Sequence, residues 1–210
     1  MSIAPGPFAP PSERDVTRLV LENPLAWLVT AAAGEFAATP LPLRPVVGAQ
    51  GEVLELLGHF ARSNPHHDLA RRARPTLVLF QGPQGYVSSS WFRDRTRLPT
   101  WNYAYVQYVV DIEYTEDPAE TERIMRDLVD AMEHGRPHAW SIEDAGPRYA
   151  QLVRGIIAFR ARILDRRVKF KLGQDERAGE YEDIVQALGA TDQRALLEWM
   201  QRCNAARADR

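Results

Sequence analysis

The stretch from Tyr103 to Tyr114 limits what this chain can fold into more than any other. It carries Tyr105, Val106, Tyr108, Val109, Val110, Ile112 and Tyr114 with no glycine or proline among them. β-Branched and aromatic residues at that density select extended backbone over helix. Shorter strand candidates stand on either side of it: Trp27 to Ala32, Phe36 to Thr39, Val53 to Ala61, Thr76 to Phe80, Tyr86 to Ser89, Ile157 to Leu164 and Val168 to Leu172. Gly34-Glu35 reads as the turn of a first hairpin. Gln81-Gly82-Pro83-Gln84-Gly85 reads as a turn between two strands, and Asp165-Arg166-Arg167 as the turn joining the last two. The prolines of Pro40-Leu41-Pro42-Leu43-Arg44-Pro45 demote that piece to an edge or irregular strand.

Helices are expected between and after these strands. Ser12 and Asp15 form a capping pair ahead of Val16, Leu19 and Val20, and Asn23-Pro24 stops that helix. Ser63-Asn64-Pro65 starts a short helix through His66, Asp68, Leu69 and Arg72. Ile124, Leu128, Val129 and Met132 share one face of a helix that begins after Asp117-Pro118 and ends at Gly135-Arg136-Pro137, and Arg148 to Val153 is a further short one. From about Glu180 the tail is helical. No repeat or linker divides the chain, so residues 1–210 read as one domain. Short strands with helical covers suggest a mainly β, α+β architecture, an antiparallel barrel and not a βαβ sheet. The absence of a Gly-x-Gly-x-x-Gly turn agrees with that, and no P-loop or nucleophile-elbow motif occurs.

Charge excludes other classes. Acids number 28 and bases 26, a formal net charge of −2, so no global positive field draws the chain to phosphate backbones, and tight DNA binding of its own is not expected. The basic series Arg160, Arg162, Arg166, Arg167, Lys169 and Lys171 falls on a two-residue period, as solvated charges on one strand face do. The single cysteine, Cys203, excludes an internal disulfide or a cysteine-built metal site and suits a reducing, cytoplasmic setting. Met1 to Pro11 shows no basic patch followed by an apolar run, and no stretch is apolar enough to span a membrane.

Three groups of residues carry candidate chemistry. In Gly58-His59-Phe60-Ala61-Arg62-Ser63-Asn64-Pro65-His66-His67, an imidazole on a strand precedes a guanidinium, a hydroxyl and the N–H groups of a helix start. That set can hold a phosphate, and the imidazole could coordinate haem iron. The bland alternative has His59 satisfied within the sheet, Ser63 or Asn64 as a cap, and His66 and His67 in solvent. Phe80-Gln81-Gly82-Pro83 with Tyr86-Val87-Ser88-Ser89-Ser90-Trp91 suits a flat ligand with polar edges, such as an isoalloxazine or porphyrin, although turn chemistry explains the serines nearly as well. Pro99-Thr100-Trp101-Asn102-Tyr103 places aromatics around an amide at a strand start, where a core anchor or dimer contact is the plainer role.

In this order the three groups resemble the PaiB family of FMN-binding negative transcriptional regulators, as do Gly155-Ile156 with Phe159 and Phe170-Lys171-Leu172 with Gln174. Departures are Ser89, Phe92 and Gly173-Gln174-Asp175, where the family often has proline, tyrosine and Ser-Gln-Asn. The resemblance implies an FMN-binding split β-barrel of the pyridoxamine-phosphate-oxidase-like type, a homodimer with cofactor sites between subunits. On that resemblance His59, Arg62, Ser63 and Asn64 line the phosphate end of a flavin. Gln81, Tyr86, Ser88 and Trp101 approach the ring or the dimer seam, while Lys171 and Gln174 close the site. The expected role is redox or regulatory. A second expectation from the resemblance is a haem enzyme of the piperazate synthase type, forming an N–N bond with His59 as axial ligand. A third is a transcriptional regulator without a recognisable DNA-binding motif.

Overall fold

The computed structural model describes residues 6–205; residues 1–5, part of the segment read as carrying no leader, and 206–210, the end of the expected helical tail, lie outside the described residues. The strands are β1 (Leu25–Ala32), β2 (Glu35–Pro42), β3 (Arg44–Val47), β4 (Val53–Ala61), β5 (Thr76–Val87), β6 (Thr100–Thr115) and β7 (Ile156–Lys171). They form one sheet in the order β2-β1-β5-β6-β7-β4-β3, with every pairing antiparallel. β2 and β3 follow each other in sequence yet stand at opposite ends of that order, so the sheet curls round until β2 meets β4. This is the split-barrel form. Both end strands carry prolines, Pro40 and Pro42 on β2 and Pro45 on β3, where a missing N–H costs no ladder bond on the outer edge.

The long strand decides the architecture, because β6 pairs with β5 on one side and with β7 on the other along nearly its whole length. Its inward residues Ala104, Val106, Tyr108, Val110 and Ile112 are buried with Leu28, Leu56, Phe60, Phe80, Phe159 and Phe170 in the core. Burying a side chain of this size contributes roughly 1.5–3 kcal/mol.

Two expected turns are absent. Gln81 to Gly85 runs straight through β5, with a register shift between Gln81 and Gln84. Its glycines answer to packing: a Cβ on Gly82 would lie 2.8 Å from Leu19 Cδ1, and one on Gly85 would lie 2.0 Å from Gln193 Oε1. Likewise Asp165-Arg166-Arg167 is not a turn but the middle of β7. Leu164 is the extra residue of a bulge opposite Val109 and Val110, and no glycine or asparagine offers the positive φ a tight hairpin needs. Ser89 also leaves the strand, for a 3-10 turn over Ser89–Trp91.

The helices are α1 (Glu13–Glu22), α2 (His66–Arg72), α3 (Pro118–Glu133), α4 (Arg148–Val153), α5 (Ala178–Gly189) and α6 (Arg194–Cys203). Ser12 caps α1 by accepting from Asp15 N at 3.2 Å. On the inner side, α1 and α6 close the barrel: Trp199 donates to Glu22 at 2.9 Å, and Arg202 pairs with Asp15. α3 lies on the outer side, where Ile124 packs on Leu57 and Ala158. Among the described residues no helix is long and apolar enough to cross a membrane.

Candidate functional site

Strand alternation and register sort the expected site residues into two groups on one outer face. On β4 the outward residues Leu57 and His59 stand beside Arg160 and Ala158 of β7, and Ala158 stands beside Thr115 of β6. At the other end of the same two strands Tyr103 pairs with Lys171, and Tyr86 of β5 pairs with Trp101. From Tyr103 to Thr115 is about 40 Å of strand at about 3.3 Å per residue. Within one chain, His59, Arg62 and Ser63 therefore do not meet Tyr86, Trp101 and Lys171.

At the first end His59 is half-buried beside the α3 contact. Its Nδ1 is buried without a partner, and burial lowers its pKa below the ordinary 6.5, so the ring is neutral at pH 7. Arg62 follows the end of β4. Its backbone N–H donates to Gly155 O at 2.8 Å and its Nε donates to Arg154 O at 2.9 Å. That carbonyl fixes the guanidinium and leaves its terminal N–H groups open for an anion. Ser63 is exposed beside it. Asn64 has a structural task instead: Oδ1 accepts from His66 N at 3.0 Å, and Nδ2 donates to Thr39 Oγ1 at 3.3 Å.

The adjacent histidines are buried, contrary to the solvated alternative, and sequence reading missed their role. His66 is 3% exposed, its Nδ1 lies 2.8 Å from Thr39 Oγ1, and its Nε2 lies 2.9 Å from Thr30 Oγ1. Thr30 in turn contacts Thr76 Oγ1 at 3.3 Å. His67 Nε2 lies 3.1 Å from the Arg62 carbonyl, and Tyr114 donates to the His67 carbonyl at 3.1 Å. Together they hold the turn that presents Arg62 and Ser63. Only the register that puts Thr30 and Thr39 opposite α2 could reveal this, and no local motif encodes it.

At the second end Tyr86 and Trp101 are 46% and 51% exposed, with ring centroids 5.9 Å apart. Tyr103 stacks on Tyr105, and Lys169 Nζ lies 5.7 Å from the Tyr103 ring. Lys171 Nζ donates to Thr100 Oγ1 at 2.5 Å and to the Trp101 carbonyl at 2.8 Å. Gln81, on the same outer face, donates to the Gly82 and Ala104 carbonyls. Ser88 caps the 3-10 turn by accepting from Ser90 N. Gln174 is occupied by its own chain, accepting from Leu172 N at 2.7 Å and donating to Phe170 O at 2.6 Å.

Directly between the two ends this face is charged, with Gln107 beside Arg167, Val109 beside Asp165, Asp111 beside Arg162 and Glu113 beside Arg160, and its apolar part lies to one side, on β1, β2 and β5. Trp27 pairs with Leu79 and with Pro40, and Val29 pairs with Leu77 and with Ala38. Phe36, at the hairpin tip, is 80% exposed. A contiguous apolar sheet face of this kind is ordinarily covered by something.

With that geometry in hand, comparison with known proteins is informative. Residues 3–165 match the family described as "Putative FMN-binding domain". The chain is 28% identical over 183 residues to "Protease synthase and sporulation protein PAI 2" of Bacillus subtilis, covering 86% of each. An uncharacterized protein of Aspergillus fumigatus is 29% identical over 218 residues, covering 80% of this chain and 84% of that one. Among solved structures, an FAD and heme binding protein from Mycobacterium smegmatis superposes with a TM-score of 0.57 at 21% identity, covering 83% of this chain and 78% of the other. The flavocytochrome Anf3 from Azotobacter vinelandii does so with a TM-score of 0.58 at 16% identity, covering 80% and 72%. At those identities the superpositions establish the shared split-barrel fold. The matched span includes the strand and turn of His59 to Asn64 and the whole of β5 and β6, and the chain belongs to the PaiB-type FMN-binding family.

Proposed function

We propose that this protein is a homodimeric FMN-binding protein whose two sites lie between the copies, each assembled from the His59–Ser63 end of one chain and the Tyr86–Lys171 end of its partner. The observation that carries this reading is the separation itself. Anion-binding and ring-stacking groups share one outer face but stand about 40 Å of strand apart, with the apolar patch of Trp27, Leu77 and Leu79 beside them on β1 and β5. Two copies related by a two-fold axis across that face bring opposite ends together and cover the apolar surface at the same time.

In this assignment Arg62 and Ser63 receive the phosphate by charge-assisted and hydroxyl hydrogen bonds. Tyr86 and Trp101 supply flat apolar surface against the ring and exclude water. The flavin, when bound, supplies electron or hydride transfer, and the chain contributes binding and orientation. The role that fits is redox or sensing. A regulatory effect would run through ligand state or protein contact, since net charge −2 gives no phosphate-binding field.

Haem is the second reading, favoured by His59 and by the solved neighbours named for haem. The neutral imidazole suits a ligand. Its Nδ1, however, is buried and unpartnered, whereas a metal-bound histidine normally donates its second N–H to a carbonyl or carboxylate. FMN therefore stands first.

Titration with FMN and with hemin, followed by absorbance, tests both. FMN should be taken up by a dimer, and Arg62→Ala should weaken it by about 1.5–3 kcal/mol, roughly tenfold to a hundredfold, with a smaller loss for His59→Ala. A Soret band that persists in Arg62→Ala and disappears in His59→Ala, with no FMN uptake by the parent, would reverse the order of the two readings. FMN uptake by a stable monomer would refute the shared site.

A further inference from the structure

The loop from Arg93 to Pro99, which leads into β6, is fastened to the helical tail. Arg93 Nε donates to Asp183 at 2.7 Å, and Arg97 donates to Glu176 at 2.7 Å and lies 3.1 Å from Glu180. Between this loop, the end of β7 and the start of α5 is a cleft of about 590 Å³, within the range that accommodates small ligands. Its charged lining comprises Asp94, Arg97, Lys171, Asp175, Glu176 and Arg177, as many carboxylates as cations.

Four of these charges are engaged with one another, Arg177 making no ion pair among the described residues and reaching Asp94 only through its longer-range field, and two remain. Arg97 is taken by Glu176 and Glu180. Asp94 accepts from Thr96 N at 2.9 Å and Thr96 Oγ1 at 2.7 Å, and sits in the positive field of Arg177 and Arg97. Lys171 bonds only to neutral oxygens, those of Thr100 and Trp101, which leaves one ammonium N–H unused. No carboxylate of the described residues lies within 4.0 Å of it. Asp175 makes no hydrogen bond and no ion pair among the described residues. Leu98, 82% exposed, and Pro99 add an apolar wall to the same cleft.

We propose that this cleft binds a small zwitterion, a molecule with a carboxylate and an ammonium joined by a few methylenes. The carboxylate meets Lys171, the ammonium meets Asp175, and the methylenes lie along Leu98 and Pro99. A phosphate ester fits worse, because it would leave Asp175 without a cation and set a like charge beside it. A simple amine or a simple carboxylate satisfies only one of the two unpaired charges. The cleft adjoins Trp101 through Lys171. That the zwitterion is the substrate of a flavin stacked there rests on the function proposed above; its binding does not.

Calorimetry on the flavin-free full chain tests this with 6-aminohexanoate, hexanoate, hexylammonium and inorganic phosphate as probes. 6-Aminohexanoate should bind about tenfold tighter than either single-charge probe, the worth of one charge-assisted hydrogen bond. Lys171→Met should erase its advantage over hexylammonium, and Asp175→Asn its advantage over hexanoate, while Lys171→Arg retains most of the affinity. Circular dichroism confirms that each variant is folded, and Arg148→Ala serves as a control that leaves binding unchanged. Equal binding of 6-aminohexanoate and hexanoate, tighter binding of phosphate, or no heat with any probe at 10 mM (about 2.7 kcal/mol of affinity) would overturn the proposal. FMN uptake measured by absorbance on the same preparation separates the two readings, since either can fail while the other survives.

Discussion

Replacing His66 by alanine tests whether the buried threonine–histidine chain holds the Arg62 turn. The imidazole is 3% exposed and makes two short side-chain contacts, 2.8 Å to Thr39 and 2.9 Å to Thr30, with the Phe60 ring edge-on at 5.5 Å. Each hydrogen bond is worth about 0.5–1.5 kcal/mol, and the void left by the ring adds on the order of 1–2 kcal/mol. The expected loss is about 2–5 kcal/mol, a large share of an ordinary 5–15 kcal/mol stability. For a chain of this size it corresponds to a fall in Tm of roughly 5–15 °C. Urea unfolding of His66→Ala, Thr30→Val and the double variant should show a coupling of about 1 kcal/mol. Burial lowers the His66 pKa in the fold, so on acidification the unfolded chain takes up the proton first. Stability is then complete above about pH 6.5, the unfolded value, and declines as pH falls from there towards the folded value. His66→Ala should flatten that decline in part, because His59 is shifted the same way. A loss below about 0.5 kcal/mol, or additive single and double variants, would refute the reasoning.

Gly82→Val should cost about 1–3 kcal/mol by overpacking against Leu19 and the Ala104 carbonyl, whereas Gly189→Ala, with nothing within 4 Å of the new Cβ, should be neutral or slightly stabilising; urea midpoints decide. Trp27→Glu puts a charge in the middle of the apolar part of the outer face, beside Leu79 and Pro40. Light scattering should then report monomer at micromolar concentration with the far-ultraviolet spectrum unchanged, and an unaltered dimer would show that the copies meet elsewhere.

Local chemistry was enough to specify the element types. The Ser12 cap, the proline stops and the uninterrupted β-branched run of β6 each act within a few residues. The prolines of β2 and β3 marked edges because a missing N–H is tolerated only there. The motif order from Gly58 to Gln174 was enough to place the chain in its family. Sequence could not decide the continuity of β5 and β7, because whether a glycine or an Asp-Arg-Arg run turns or bulges depends on the neighbouring strand and on helices distant in sequence. Nor could it decide which polar residues serve the fold. Asn64, Gln174, His66 and His67 look like site residues in one dimension, and tertiary register spends their hydrogen bonds on backbone and buried threonines. The division of the candidate residues between two ends of one face is likewise a matter of pairing. It follows from antiparallel register, which sets Ala158 beside His59 and Lys171 beside Tyr103 at opposite ends of β7.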